Sequence, residues 1–181
     1  MTGGFSSTYY HEELIRYPQV DLVMRGDSTE GPVAKLMDAL NFGLPLEDVP
    51  NLTWKDKAGE AHVNPMREGP PDMGEIEIDY RRLMAAAARD RDLPSYLPFM
   101  GWLQYPIMPA VSCRGCIMNC AGCGGSAFAF RHMHGRRRPA FRPPDMMAND
   151  LRQMASVTNG PIFVLGDIRQ AGQEYAERFL Q

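Results

Sequence analysis

Cys113-Arg114-Gly115-Cys116-Ile117-Met118-Asn119-Cys120-Ala121-Gly122-Cys123-Gly124-Gly125-Ser126 contains all four cysteines of the 181-residue chain. Cysteines used as small core residues are scattered among elements, so packing is a poor account of this cluster. Thiolates are soft ligands for iron and zinc, and several on one short loop can wrap one metal centre. Zinc modules usually space their C-x2-C knuckles a dozen or more residues apart, whereas only Ile117, Met118 and Asn119 lie between Cys116 and Cys120. A ferredoxin-type site reads C-x2-C-x2-C-x3-C-Pro, a different order. Two disulfides would close very tight loops, and no export signal precedes them. An iron–sulfur loop is the leading reading, and a four-cysteine zinc knot is the alternative.

Cys116, Cys120 and Cys123 read C-x3-C-x2-C, with Gly124-Gly125 directly after. This resembles the cluster loop of the radical S-adenosylmethionine (radical SAM) enzymes. The longer string Arg114-Gly115-Cys116 to Gly124-Gly125-Ser126 looks like the subset that carries an upstream cobalamin-binding domain. The resemblance implies that Cys116, Cys120 and Cys123 hold three irons of a 4Fe–4S cluster, that Cys113 is not a ligand, and that S-adenosylmethionine binds the open iron and is cleaved reductively. It also implies that Gly124, Gly125 and Ser126 meet the methionine end of S-adenosylmethionine. An electron donor such as a flavodoxin or ferredoxin is the implied partner. Many family members carry an aromatic just before the third cysteine, against the adenine; here that position is Gly122.

Apolar residues make up 44% of the chain and charged residues 23%, as in ordinary globular proteins. A net charge of −3 argues against nucleic-acid binding over the whole surface. No apolar run is long enough for a membrane span. Met1-Thr2-Gly3-Gly4-Phe5 has neither the basic nor the apolar region of a signal peptide, so a cytoplasmic, reducing compartment is expected.

Residues 1–68 read as a small α/β unit. Ser7-Thr8 is expected to cap a helix through about Tyr17. Val20–Met24 reads as a strand. Val33, Leu36, Met37 and Leu40 follow helical spacing, with Gly43 as the stop. Leu52–Asp56 and Glu60–Val63 around Lys57-Ala58-Gly59 read as a hairpin. Gly3-Gly4, Val20-Asp21-Leu22-Val23, Arg25-Gly26-Asp27 and Glu30 together are similar to the C-terminal end of the cobalamin-binding domain in the same enzymes. The resemblance makes Gly3 and Gly4 contacts for the cofactor's nucleotide tail. The Asp-x-His-x-x-Gly motif that often ligates cobalt is absent, and His11 and His62 read as ordinary histidines.

Residues 64–78 are rich in proline and glycine and read as a linker. Asp79–Ala88 has strong helix propensity and is expected to bridge the two halves. Tyr96, Phe99 and Trp102 mark an irregular stretch that is expected to pack under a long loop, with a wall of the substrate chamber as the alternative. Ile107–Val111 is a strand entering the cysteine loop, Pro143-Pro144 open a helix carrying Met147, Leu151, Met154 and Val157, Ile162–Leu165 is a buried parallel-type strand, and Gln170–Gln181 is a helix. The expected fold is α/β: the C-terminal part of a Rossmann-like cobalamin-binding domain (1–68), a linker and bridging helix (69–104), and the first β/α units of a partial (β/α)6 radical SAM barrel (105–181). Such a barrel takes about six units of about 30 residues. The chain therefore reads as an internal stretch of a longer enzyme.

Arg131, His132, His134, Arg136, Arg137, Arg138 and Arg142 form a basic run. It reads as a solvated loop, as charge compensation for an anionic cluster, or as a contact for an anionic or RNA substrate. Asp167 and Arg169, after the second strand, are weaker site candidates. The expected function is a radical SAM enzyme of unknown substrate, a small molecule before an RNA. Methyl transfer is the leading downstream reaction if cobalamin is used. The alternative is a non-enzymatic zinc module with a basic loop that contacts nucleic acid.

Overall fold

The computed structural model describes residues 1–90 and 104–181. Tyr96, Phe99 and Trp102 lie outside the described residues. The chain forms two compact units that interleave in sequence: Met1–Pro70 with Gly115–Pro139, and Pro71–Arg114 with Ala140–Gln181.

The first unit is built on a four-stranded sheet in the order β1-β2-β3-β4, with β1 Thr2–Gly3, β2 Leu22–Met24, β3 Leu52–Lys55 and β4 Ala61–Val63. β1 and β2 are parallel, Thr2 opposite Val23 and Gly3 opposite Met24. The other two pairs are antiparallel, as the hairpin reading requires. The single helix expected from Ser7 to about Tyr17 is instead two short ones, α1 Phe5–Tyr9 and α2 His11–Leu14. Ser7 and Thr8 lie inside α1 and are buried, and the cap position falls to Gly4 at φ 97°. The Thr8 hydroxyl donates to the Gly4 carbonyl at 2.9 Å. Such side-chain bonds to the preceding turn compete with regular helix geometry.

α3, Glu30–Phe42, ends at a left-handed Gly43 as expected. Its inward stripe differs from the expected one. Leu36 and Ala39 are buried and Val33 packs beside them, while Met37 and Leu40 are exposed. Ala39 joins the core of this unit, which is Met24, Leu36, Ala39, Val49, Leu52 and Trp54. The first residues of the expected linker are held firmly here. Asn64 accepts from the Trp54 indole at 3.2 Å and donates to the Leu46 and Val49 carbonyls at 2.6 and 2.7 Å. The cysteine loop leads into α5, Ala127–Met133, which completes this unit.

The second unit has a parallel pair, β5 Met108–Val111 with β8 Ile162–Leu165, in register from Met108–Ile162 to Val111–Leu165. α6, Pro144–Val157, lies between them in sequence, and Pro144 sits where a missing N–H costs nothing. α4, Tyr80–Arg89, packs on α6 and is capped by Asp79, which accepts from the Arg82 N–H at 2.8 Å. β6 Cys113–Arg114 and β7 Ala140–Phe141 form a short antiparallel ladder. α7, Gln173–Leu180, starts later than expected because Ile168–Ala171 forms a 3-10 turn. Tyr80, Met108, Ala110, Met147 and Met154 make the core. The whole is a mixed α/β chain with small sheets.

Candidate functional site

Cys116, Cys120 and Cys123 stand on one loop of the first unit, and Cys113 stands on β6 of the second. All four carry thiols; Cys113 and Cys116 are half-buried, and Cys120 and Cys123 are exposed. The loop is held by its own backbone. The Met118 N–H donates to Cys116 Sγ at 3.3 Å, the Cys123 N–H to the Cys120 carbonyl at 3.2 Å, and the Ser126 N–H to the Cys123 carbonyl at 3.2 Å. The thiolate is the form of cysteine that binds metal. Asn119 accepts from the Phe128 N–H at 3.2 Å, and the Ala127 N–H donates to the Met118 carbonyl at 2.8 Å, so the loop returns onto the start of α5.

Among the described residues, no three His, Cys, Asp or Glu side chains are gathered as a metal site. The fit of the loop to a cluster therefore rests on its donor set: three thiols, one with an N–H on its sulfur, and flanks that leave room. A Cβ added at Gly122 or Gly124 would meet nothing within 4 Å.

Ser126 caps α5, accepting from the Ala129 N–H at 3.3 Å. α5 and the turn after it are anchored by aromatics. Phe5 meets Phe130 edge-on at 5.8 Å and His134 at 4.4 Å between ring centres. This places α1 beside the cysteine loop. A cleft of about 540 Å³ results, lined by Phe5, Ser6, Tyr9 and Tyr10 on one side and by Gly124, Gly125 and Met133 on the other. Phe5-Ser6 directly follow Gly3-Gly4, so the residues after the first glycine pair share one cleft with the second pair itself. The backbone accounts for the first pair: Gly3 approaches the Met24 carbonyl closely, at 3.3 Å from an added Cβ, and Gly4 takes a positive φ with open space beyond it. The four aromatic and serine residues of the cleft were hidden in the sequence, where this stretch read as the start of a single helix running to about Tyr17. Their only signal was their position just after Gly3-Gly4.

The basic run divides. Arg136 is buried in the first unit and paired with Asp27; it also donates to Ser28 Oγ at 2.8 Å and to the Pro70 carbonyl at 3.1 Å. Arg142 is buried in the second unit and paired with Asp150; it donates to the Ile76 carbonyl at 2.7 Å and to the Met73 carbonyl at 3.2 Å. His134 is 1% exposed, and its ring nitrogens have no hydrogen-bond partner among the described residues. Burial pushes its pKa down, against a smaller upward pull from Asp27. These three side chains belong to the interior, not to a nucleic-acid face.

Asp167 and Arg169 pair with each other on the surface after β8, at 2.8 Å, and this hydrogen bond holds the Asp167 carboxyl below the usual range. His11 bonds Thr53 at 3.1 Å, and His62 stacks on Trp54 and bonds Asp56, so both histidines have local structural partners. A second cleft, about 740 Å³, lies between α4 and α6 and is lined by residues of both signs, including Glu77, Asp79, Arg81 and Arg152. No helix among the described residues is long and apolar enough to cross a membrane.

No family model matches the sequence, and no curated protein does. Solved structures do match in fold. One is the radical S-adenosylmethionine methyltransferase TsrM from Kitasatospora setae, determined with tryptophan and an S-adenosylmethionine analogue: 13% identity, TM-score 0.64, 98% of this chain and 31% of that one. The same enzyme with cobalamin and a [4Fe–4S] cluster matches at 14% identity, TM-score 0.62, with 98% and 32% covered. The cobalamin-dependent S-adenosylmethionine radical enzyme OxsB with aqua-cobalamin matches at 15% identity, TM-score 0.63, with 98% and 23% covered. The chain thus has the fold of one part of the cobalamin-dependent radical SAM enzymes, and it spans about a third or less of their length.

Proposed function

We propose that the chain is the portion of a cobalamin-type radical SAM enzyme in which S-adenosylmethionine and cobalamin are handled side by side. The observation that carries this reading is the convergence of the residues after Gly3-Gly4 and after Cys123 on one cleft within one compact unit. Nothing in the cysteine loop alone would require that neighbour.

Cys116, Cys120 and Cys123 would hold a 4Fe–4S cluster, which supplies the electron for reductive cleavage of S-adenosylmethionine, with the electron delivered by a flavodoxin or ferredoxin. Gly124, Gly125 and Ser126 would receive the methionine end, where the open space at Gly124 lets a ligand approach the backbone. Gly3 and Gly4 would meet cobalamin, again with open space at Gly4. On this reading residues 1–68 are the end of a Rossmann-like cobalamin-binding domain, 69–104 the linker and bridging helix, and 105–181 the opening of the barrel. Cobalamin-dependent methyl transfer to a small molecule is the downstream reaction.

Anaerobic iron–sulfur reconstitution followed by electron paramagnetic resonance tests the proposal. A 4Fe–4S signal that changes on adding S-adenosylmethionine is expected. It should be lost in Cys116→Ala and kept in Cys113→Ala. Stoichiometric zinc with no cluster would overturn the proposal in favour of a zinc module.

A further inference from the structure

α5 has two faces, and the cofactor reading uses one of them. Phe130 and, just past the helix end, His134 are buried and meet Phe5. Two steps along a helix turn a side chain by about 200°, so Phe128 and His132 lie on the opposite side. Their rings pair at 4.2 Å between centres, and Phe128 is 60% exposed. Met118, on the loop between Cys116 and Cys120, is 54% exposed. The backbone ties the two together: the Ala127 N–H donates to the Met118 carbonyl at 2.8 Å, and the Phe128 N–H to Asn119 at 3.2 Å. Two large apolar side chains thus stand in solvent on the loop and helix that flank the exposed Cys120 and Cys123. The charge around them has one sign. From Cys113 to Pro144 the sequence holds six arginines and no aspartate or glutamate, in a chain of net charge −3. Arg136 and Arg142 are neutralised by Asp27 and Asp150. Arg131, one turn after Phe128, is exposed, as are Arg137 and Arg138 on the segment that follows. That segment runs beside the start of the cysteine loop, where a Cβ on Gly115 would lie 3.0 Å from Pro139 Cα. Glu68 accepts the Arg137 N–H at 3.0 Å and offsets that arginine in part. Among the described residues neither Arg131 nor Arg138 is paired with a carboxylate. Aromatic residues, methionine and arginine are the types enriched where proteins meet.

We infer that the outer face of α5 is the docking face for an acidic electron-donor protein, with Met118 and Phe128 as apolar anchors and Arg131 and Arg138 as the charged rim. The inference rests on the proposed function and deepens it by giving the donor a surface. A cluster on this loop takes its electron from outside the chain; the donor is oxidised by one electron and the cluster is reduced by one. The outer face reaches the loop from the side of α5 away from Phe5, so a docked donor leaves the Phe5 cleft open. Redox contacts between proteins are small, and opposite charge steers them more than area holds them. RNA is the other polyanion that a basic face can meet. Single-stranded bases are held on aromatic rings, and here the second apolar anchor is a methionine, which favours a protein. Every residue named for this face belongs to the first unit.

The experiment is a binding titration on the full chain, with an isotope-labelled acidic flavodoxin and an acidic ferredoxin as separate probes, each followed by NMR. Saturable binding of at least one is expected, and it should weaken about tenfold or more as salt rises from about 20 to about 200 mM, because exposed charges are screened. Arg131→Glu with Arg138→Glu reverses the rim and should weaken binding at least about tenfold. Phe128→Ser removes an anchor and should weaken it by about the same factor. Arg169→Glu, an exposed site of the second unit, should leave it unchanged. Should Phe128→Ser disturb α5, the charge-reversed variant carries the test. No saturable binding of either donor, or binding that the charge reversal leaves unchanged, overturns the inference. An RNA hairpin that binds more tightly than both donors and is lost in the same variants would also overturn it, and would assign the face to nucleic acid. Docking and cluster formation are separate readouts. A cluster responsive to S-adenosylmethionine with no donor binding would leave the proposed function standing and remove this inference. Donor binding that the variants abolish, with no cluster formed, would keep the docking face and remove the proposed function.

Discussion

The Arg136 guanidinium and the Asp27 carboxylate form a buried ion pair across 109 residues of sequence, 2% and 6% exposed. This pair joins the turn after α5 to the turn after β2. It is the polar counterpart of the Phe5–Phe130 contact, and the two together hold the cysteine loop's helix in the first unit. Removing one member of such a pair leaves a buried charge without compensation, which typically costs about 3–5 kcal/mol. Asp27→Ala should therefore unfold the first unit at markedly lower urea, and should raise hydrogen exchange across α5 and the cysteine loop. Arg136→Lys should also destabilise it, because one ammonium cannot serve Asp27, Ser28 and Pro70 in the fork that Arg136 uses. Equal exchange in wild type and Asp27→Ala would show that the loop is held by something else.

The Arg142–Asp150 pair and the Asp167–Arg169 pair are a direct contrast within the second unit. The first is nearly inaccessible, and its arginine also ties down the Met73 and Ile76 carbonyls. The second is exposed and local. Arg142→Ala should lower the denaturation midpoint severely, and Arg169→Ala should leave it unchanged, since exposed pairs are screened and carry little. A large effect at Arg169 would assign it a structural role that its geometry does not show.

Legibility in the sequence followed the range of the interaction. The hairpin at 52–63, the Gly43 stop, the strand before the cysteine loop and the proline-opened helix at 144 are local signals, and each is present in the structure. α5 was missed because Ala127-Phe128-Ala129-Phe130 alternates like a strand and leads straight into a basic run; Ser126, its cap, was its one local mark. The interior roles of Arg136 and Arg142 were invisible for another reason. A buried arginine and a solvated one look alike in sequence, and the partners Asp27 and Asp150 carry no pattern that points to them. The cleft was half legible. Both glycine pairs stood out, but the wall between them depends on a long-range contact of Phe5 with Phe130 and His134.

Gly166 offers a sharper test of how the end of the parallel pair is built. It follows β8 directly, at φ 107°, and a Cβ there would lie 2.5 Å from Cys113 Sγ and 2.7 Å from Ser112 Oγ. Either feature alone disfavours a side chain. Strained backbone of this kind costs on the order of 1–3 kcal/mol, and the clash adds to it. Gly166→Ala should destabilise the second unit and should change the reactivity of Cys113 towards a thiol reagent, because the added methyl presses on its sulfur. Unchanged Cys113 labelling would mean that the strand ends move apart instead.

His134 makes the stability of the first unit depend on pH. Its ring is enclosed by Phe5, Phe130 and the turn after α5, and burial holds its pKa below the ordinary value of 6.5, with the Asp27 carboxylate opposing. The unfolded chain thus binds a proton at a higher pH than the folded one. Stability is complete above about pH 6.5 and is lost as pH falls towards the lowered folded value. His11 shifts in the same direction through burial and Arg25, so it adds a parallel slope. His134→Phe should keep the aromatic contacts, remove the protonation step and flatten the fall in urea midpoint between about pH 7 and 5, leaving only the slope due to His11. It should also stabilise the unit at neutral pH, since two buried nitrogens without partners are replaced by carbon. Midpoints measured at several pH values decide the matter: identical slopes in wild type and His134→Phe would place the acid sensitivity elsewhere.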